Sequence, residues 1–177
     1  MDFDLKSHIR SIPDWPKPGV IFRDINSLLE DRLIFHKLID CFVHRYLDTD
    51  MDAIAAVDAR GFMIGAAAAY QLNTALVPVR KKGKLPGETI SEAYTLEYGE
   101  AELAMQTSSL KKGSRIILMD DIIATGGTLL ASAKLIRRLG AEIIEIAAII
   151  DLPDLGGSKK LLEAGFKVHT LTSFDGE

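Results

Sequence analysis

Short apolar runs alternate along this chain with stretches of helical periodicity, and that alternation limits the fold more than any other feature. Residues 53–57 form an apolar run closed by Asp58; a helical stretch follows over 61–72, and a second run occupies 75–79. Strand, helix, strand in quick succession reads as a parallel βαβ unit, because parallel neighbours need a long crossover and a helix supplies it. The pattern resumes with an apolar strand over 115–119 and a helix over 128–139 that Gly140 terminates. A strand over 143–150, a helix over 158–164 and a short strand over 168–171 complete it. Upstream, Phe35, Leu38, Ile39, Phe42, Val43 and Tyr46 recur at the spacing of one helix face, predicting a helix over 33–47. The expectation is one α/β domain over 1–177, with a central, mostly parallel, doubly wound sheet flanked by helices.

Two segments fall outside the alternation. The first thirty residues hold Pro13, Pro16, Pro18 and Gly19, which predict turns and no regular element. Residues 80–99 carry Lys81, Lys82, Gly83, Lys84, Pro86 and Gly87 and read as a long exposed loop, with 89–96 and 102–107 able to pair as short strands around it. Loops of such length in compact domains are uncommon and often functional.

Composition removes several classes of function. A formal net charge of -4 argues against a broad electrostatic grip on nucleic acid. Cys41 is the only cysteine, so no intrachain disulfide forms, which fits a reducing compartment. No apolar stretch near Met1 reads as a signal peptide. The longest apolar run, 62–70, is far short of the roughly 20 residues needed to cross a bilayer. A soluble, cytoplasmic protein is expected.

The most informative segment runs from Arg115 through Met119, Asp120, Asp121, Ile122, Ile123, Ala124, Thr125, Gly126 and Gly127 to Thr128. In open parallel sheets, ligands bind at the carboxyl ends of the strands. Two adjacent acids at such an end repel one another, an arrangement that suits arriving hydrogen-bond donors. The turn after them leads into a helix start, where free N–H groups and the positive end of the helix dipole favour an anion. Gly126 and Gly127 let the backbone approach phosphate oxygens, Thr125 and Thr128 add hydroxyls, and Thr128 is placed to cap the helix. An ordinary strand–helix turn with solvated acids explains less of this string. It is neither a Walker loop nor the Gly-x-Gly-x-x-Gly of dinucleotide folds.

Asp58-Ala59-Arg60-Gly61-Phe62 ends the first buried strand. Alone, Arg60 reads as a surface salt-bridge partner; at a strand end its planar fork suits two phosphate oxygens. The stretch from Pro78 to Gly87 is basic within an acidic chain, which usually means a solvated turn.

Together these segments resemble the type I phosphoribosyltransferases, and among them the adenine phosphoribosyltransferases. The 120–128 string is similar to that family's loop for phosphoribosyl diphosphate (PRPP). Arg80-Lys81-Lys82-Gly83-Lys84-Leu85-Pro86-Gly87 and Tyr94-Thr95-Leu96-Glu97-Tyr98-Gly99 resemble its basic and catalytic loop. Ile12-Pro13-Asp14-Trp15-Pro16-Lys17-Pro18-Gly19-Val20-Ile21-Phe22-Arg23-Asp24-Ile25 resembles its base-binding hood. The likeness spans about 12–174, with the motifs in the family's order.

The resemblance implies a type I phosphoribosyltransferase fold: a hood over about 1–32, an α/β core over 33–177, and a mobile loop over 82–99. It implies that Asp120 and Asp121 meet the ribose hydroxyls while Ala124, Thr125, Gly126, Gly127 and Thr128 hold the 5-phosphate. Ala59, Arg60, Lys81 and Lys84 would bind diphosphate, with Arg80 approaching the site of a partner subunit. Backbone at Ile21 and Arg23 would read adenine, Phe22 would stack on it, and Leu152 would close its other face. Asp151, just before Leu152, stands where the family commonly has Glu. Glu97 is the implied acid/base group with Tyr98 beside it, and Arg60 stabilises the leaving group. Mg²⁺ would be held mainly by diphosphate and water rather than by protein ligands. The implied reaction is PRPP plus adenine to AMP and diphosphate, in a homodimer without nucleic-acid or membrane partners. Transfer to another purine such as xanthine is the nearest rival. A non-catalytic PRPP-sensing regulator is the other, although no basic recognition helix accompanies the domain.

Overall fold

The computed structural model describes residues 4–95 and 100–176. The chain opens with a short hairpin of β1 (Arg10–Pro13) and β2 (Ile21–Asp24), followed by α1 (Asn26–Glu30) and α2 (Arg32–Tyr46). Then come β3 (Ala53–Val57), α3 (Arg60–Gln71) and β4 (Ala75–Lys81). An antiparallel pair, β5 (Thr89–Thr95) and β6 (Glu100–Gln106), interrupts the alternation. It resumes with β7 (Arg115–Met119), the two-residue β8 (Ile122–Ile123), α4 (Gly127–Arg138) and β9 (Glu142–Asp151). The last elements are α5 (Gly157–Glu163) and β10 (Val168–Ser173).

The main sheet runs β10-β9-β7-β3-β4-β6-β5, with β8 added beside β9. From β10 to β4 all neighbours are parallel, while β6 pairs antiparallel with both β4 and β5. The alternating side chains of each strand feed two cores. Ala53, Ala55 and Val57 face α4 and α5, packing with Leu118, Ile146, Leu129, Ile136 and Leu161. Ile54, Ile117, Met119, Ala147 and Ile149 face the other way, against Leu38 and Phe42 of α2 and Ile64 and Ala68 of α3. Coverage on both faces explains why β3 and β7 are unbroken apolar runs rather than alternating ones. Asp31 caps α2, its carboxylate accepting from the N–H groups of Leu33 and Ile34, and these bonds hold its carboxyl below the usual range.

Two expectations need correction. The proline-rich N-terminus does contain regular structure, because Pro13 ends an edge strand and Pro16, Pro18 and Gly19 lie in the connection, where no ladder amide is lost. The 80–99 segment is not one long loop: Arg80 and Lys81 stay in β4, paired opposite Ala104 and Leu103 of β6, and only the connection to β5 is irregular. The expected pairing of the flanking strands is present as β5 and β6. Residues 96–99, including Glu97 and Tyr98, lie outside the described residues.

Candidate active site

A cavity of about 340 Å³ opens at the carboxyl ends of β3, β4 and β7. Of the residues singled out from sequence, Ala59, Arg60, Lys81, Asp120, Asp121, Ala124, Thr125, Gly126 and Thr128 line it. Strand order explains this convergence: β3 lies between β4 and β7, so the segments leaving all three strands meet at one edge.

Asp120 and Asp121 are buried at 8% and 4% exposure. The Asp121 N–H donates to Oδ1 of Asp120 at 2.8 Å, and the Asp121 carboxylate accepts from Nε of Arg60. Burial, reinforced by the neighbouring Asp121 charge, pushes the Asp120 carboxyl well above the usual carboxylate range. The pair is therefore electrostatically loaded, with a single arginine tying one member to the end of β3.

Beyond the acids the backbone turns into α4. Gly126 adopts φ 79° as the N-cap, a left-handed conformation that favours glycine. Thr128 is one residue inside the helix and does not cap it; no side chain does. The N–H groups of Thr125, Gly126, Gly127 and Thr128 donate to no acceptor among the described residues. Four donors at a helix start, beside a cavity, form an anion-binding cradle.

Other singled-out residues lie around this centre. Gly127 begins α4 against Tyr94, off the cavity wall. Arg80 turns back to donate from Nε to Asp58 at 3.1 Å and from Nη1 to the Lys84 carbonyl at 3.2 Å, while Lys84 itself is exposed and off the wall. Beside the β1–β2 hairpin, the Phe22 ring meets Trp15 edge-on at 4.4 Å between centroids. The Arg60 guanidinium carbon lies 5.6 Å from the Phe22 centroid, so one side chain links β2 to the acids. Leu152 packs in the same core as Ile122, which lines the cavity. Ile21 and Arg23 flank Phe22 on β2.

Sequence reading missed three participants. Asp58 lines the cavity and anchors Arg80. Tyr94 lines it from β5; the 94–99 string pointed to this neighbourhood but gave Tyr94 no role of its own. Gly157 opens α5 against the turn: its N–H donates to the Ala124 carbonyl at 3.0 Å, and a Cβ there would stand 2.2 Å from that oxygen. The Gly156-Gly157 pair ahead of a helix was the available signal.

The family profile described as phosphoribosyl transferase domain matches residues 25–169. The adenine phosphoribosyltransferase of Marinobacter nauticus is 61% identical over 173 residues, covering 98% of this chain and 96% of that protein. The chain belongs to the adenine phosphoribosyltransferase family. Solved structures agree on the fold. The adenine phosphoribosyltransferase of Thermoanaerobacter pseudethanolicus superposes with a TM-score of 0.92 at 43% identity, covering 97% of this chain and 98% of its own. The Saccharomyces cerevisiae adenine phosphoribosyltransferase, solved with an imino-altritol bisphosphate and adenine, gives 0.89 at 35% identity, covering 95% and 96%. The type I phosphoribosyltransferase fold, with its mostly parallel mixed sheet and flanking helices, is thus the fold of this chain.

Proposed function

We propose that the chain transfers the 5-phosphoribosyl group of PRPP to adenine, forming AMP and diphosphate. The observation that carries this reading is the pair of buried carboxylates, Asp120 and Asp121, beside four helix-start amides with no acceptor among the described residues. Sugar hydroxyls donate to the acids, and the amides of Thr125 to Thr128 hold the 5-phosphate with the Thr125 and Thr128 hydroxyls. The membership of the chain among adenine phosphoribosyltransferases, and the adenine-bound relative from Saccharomyces cerevisiae, support adenine as the acceptor.

Adenine N9 attacks C1 as the C1–oxygen bond to diphosphate breaks, so the sugar passes through an oxocarbenium-like state and the protein supplies no nucleophile. Catalysis then rests on positioning and electrostatics. Arg60 and Lys81 face the departing diphosphate, with Ala59 offering backbone, Lys84 closing from the turn, and Arg80, braced by Asp58, approaching a partner's site. The N9 proton passes to Glu97, with Tyr98 beside it, as the 82–99 segment closes and excludes water. Ile21 and Arg23 read adenine through their backbone, between the Phe22 ring and Leu152.

A magnesium ion suits this donor set. The oxygen-rich wall that includes the Asp120 and Asp121 carboxylates, assigned to the ribose hydroxyls, borders the space that diphosphate and its metal-bound waters would share. Mg²⁺ retains waters and binds through few carboxylates plus phosphates, so diphosphate would be its main ligand. It would neutralise leaving-group charge.

A homodimer is supported by an apolar face. Met63, Ala66 and Tyr70 are exposed at i, i+3 and i+7 on α3, and Leu76 is exposed nearby on β4. Among the described residues, β4 pairs from Ala75 to Val79 with β3 alone, which leaves its other edge without a ladder partner there. No helix among the described residues is long and apolar enough to cross a membrane. We assign the activity to the cytoplasm, which suits the lone thiol of Cys41.

The test is incubation of purified protein with Mg²⁺, PRPP and each purine base in turn. AMP from adenine, with little nucleotide from other bases, is the expected result. Preference for xanthine would overturn the assignment, and binding of PRPP without turnover of any base would point to a sensor.

A further inference from the structure

From the contacts of the C-terminal segment we infer that Phe174 is a positioning residue for the base, holding the hood strand β2 against the end of β9. The inference rests on the proposed adenine site and adds to it a residue outside the cavity wall.

Phe174 follows β10 directly and is 8% exposed. Its backbone N–H donates to the Asp151 carbonyl at 3.0 Å, which fixes it beside Leu152, the residue assigned to one face of adenine. Its ring reaches the opposite wall of the site: the Arg23 guanidinium carbon lies 4.1 Å from the centroid, and Lys6 Nζ lies 4.7 Å from it. Arg23 also donates from Nη1 to the Ser11 hydroxyl at 2.6 Å, so its guanidinium is gripped from both β1 and the C-terminal segment. Phe174 shares its core with Leu5, Ile9 and Ile25, which flank the hood, and with Ile122 and Leu152.

The hood needs such an anchor. The β1–β2 hairpin is a separate two-stranded sheet with no ladder bonds to the main one. An isolated hairpin is marginal in water and takes its placement from packing. A partly desolvated guanidinium on an aromatic face is a directional contact that sets the position of β2, and hence the backbone at Ile21 and Arg23. Phosphate and ribose contacts, which depend on β7 and α4, do not involve it. Phe174 should therefore govern the affinity for adenine and leave PRPP binding alone.

Steady-state kinetics on the full chain test this with Phe174→Leu, which keeps an apolar side chain but removes the ring, and Phe174→Tyr, which keeps the ring. Phe174→Leu is expected to raise the KM for adenine roughly three- to tenfold, the scale of one lost cation–π contact, with KM for PRPP and kcat unchanged. Phe174→Tyr should restore the wild-type value. Arg23→Gln should raise the adenine KM similarly, and the double variant should show no further rise. An unchanged adenine KM in Phe174→Leu, equal changes in both KM values, or additive effects with Arg23→Gln would each overturn the inference. Phe22→Ala separates this failure from failure of the hood reading. If Phe22→Ala raises the adenine KM while Phe174→Leu does not, only the role of Phe174 falls; if neither does, both fall.

Discussion

Replacing Gly157 with alanine should loosen the phosphate cradle from outside it. An ideal Cβ at this position stands 2.2 Å from the Ala124 carbonyl oxygen and 2.6 Å from the Gly126 nitrogen, whereas ordinary contact begins at 3.4 Å. Both neighbours are backbone, so no rotamer change relieves the overlap. Either α5 or the 124–128 turn must move by about 1 Å. Overpacking of this kind costs about 1–3 kcal/mol, and breaking the Gly157–Ala124 hydrogen bond adds about 1 kcal/mol. The sum, about 2–4 kcal/mol, corresponds to a fall in melting temperature of about 5–15 °C for a chain of this length. Losing one charge-assisted bond from amide to phosphate costs about 1.5–3 kcal/mol, so PRPP affinity should drop by about 10- to 100-fold. Thermal melting and calorimetric titration with PRPP measure the two effects. A variant with wild-type melting temperature and wild-type PRPP affinity would show that the close packing of Gly157 does not shape the cradle.

Asp120→Asn should melt higher than wild type at neutral pH yet bind PRPP at least about tenfold more weakly, since it loses a charge-assisted acceptor for the sugar hydroxyls. The sign follows from the raised carboxyl: its ionisation opposes folding, so the stabilising advantage of Asn vanishes as pH falls below the ordinary Asp value of 3.8, which melting curves across pH will show. Glu145 accepts from Arg45 at 2.7 and 2.8 Å and from the Tyr46 hydroxyl at 2.7 Å. Burial alone would raise its carboxyl, but these bonds overcome that and hold it below the usual range. Glu145→Ala should therefore cost about 2 kcal/mol, discounted from a fully buried pair because Arg45 is 40% exposed; the loss should be complete above about pH 4.5 and shrink as pH falls below it. Tyr70→Glu with Leu76→Glu should convert a dimer to monomers in sedimentation, while an unchanged sedimentation coefficient would place the interface elsewhere.

The parallel core was legible because its strands are buried on both faces and appear as unbroken apolar runs, as at 53–57 and 115–119. The 116–128 segment was legible for a different reason: strand end, acids, turn and helix start are contiguous, so local order encodes the site. The hood hairpin was not. Arg10 to Pro13 is mostly exposed, Ile21 to Asp24 is half-buried, and both are too short to show a period; their pairing depends on register across the intervening loop. Gly157 escaped notice, and Tyr94 was quoted without a role of its own, because both act through tertiary approach to the 124–128 turn, from α5 and β5 respectively. The bond between Arg80 and Asp58 likewise joins the ends of adjacent parallel strands, which sequence spacing does not reveal. The expected cap at Thr128 falls two residues late: Gly126, with its positive φ, is the N-cap and starts the helix earlier than the threonine hydroxyl suggested.

The central claim is that a phosphorylated ribose lies across the ends of β3 and β7, with its phosphoryl oxygens on glycine-rich backbone and its hydroxyls on the two acids. A crystal of the protein soaked with AMP tests it directly. Density for the phosphate within hydrogen-bonding distance of the Thr125–Thr128 amides, with the ribose against Asp120 and Asp121, is the predicted result. AMP bound anywhere else, or an ordered complex whose phosphate ignores those amides, would contradict the account.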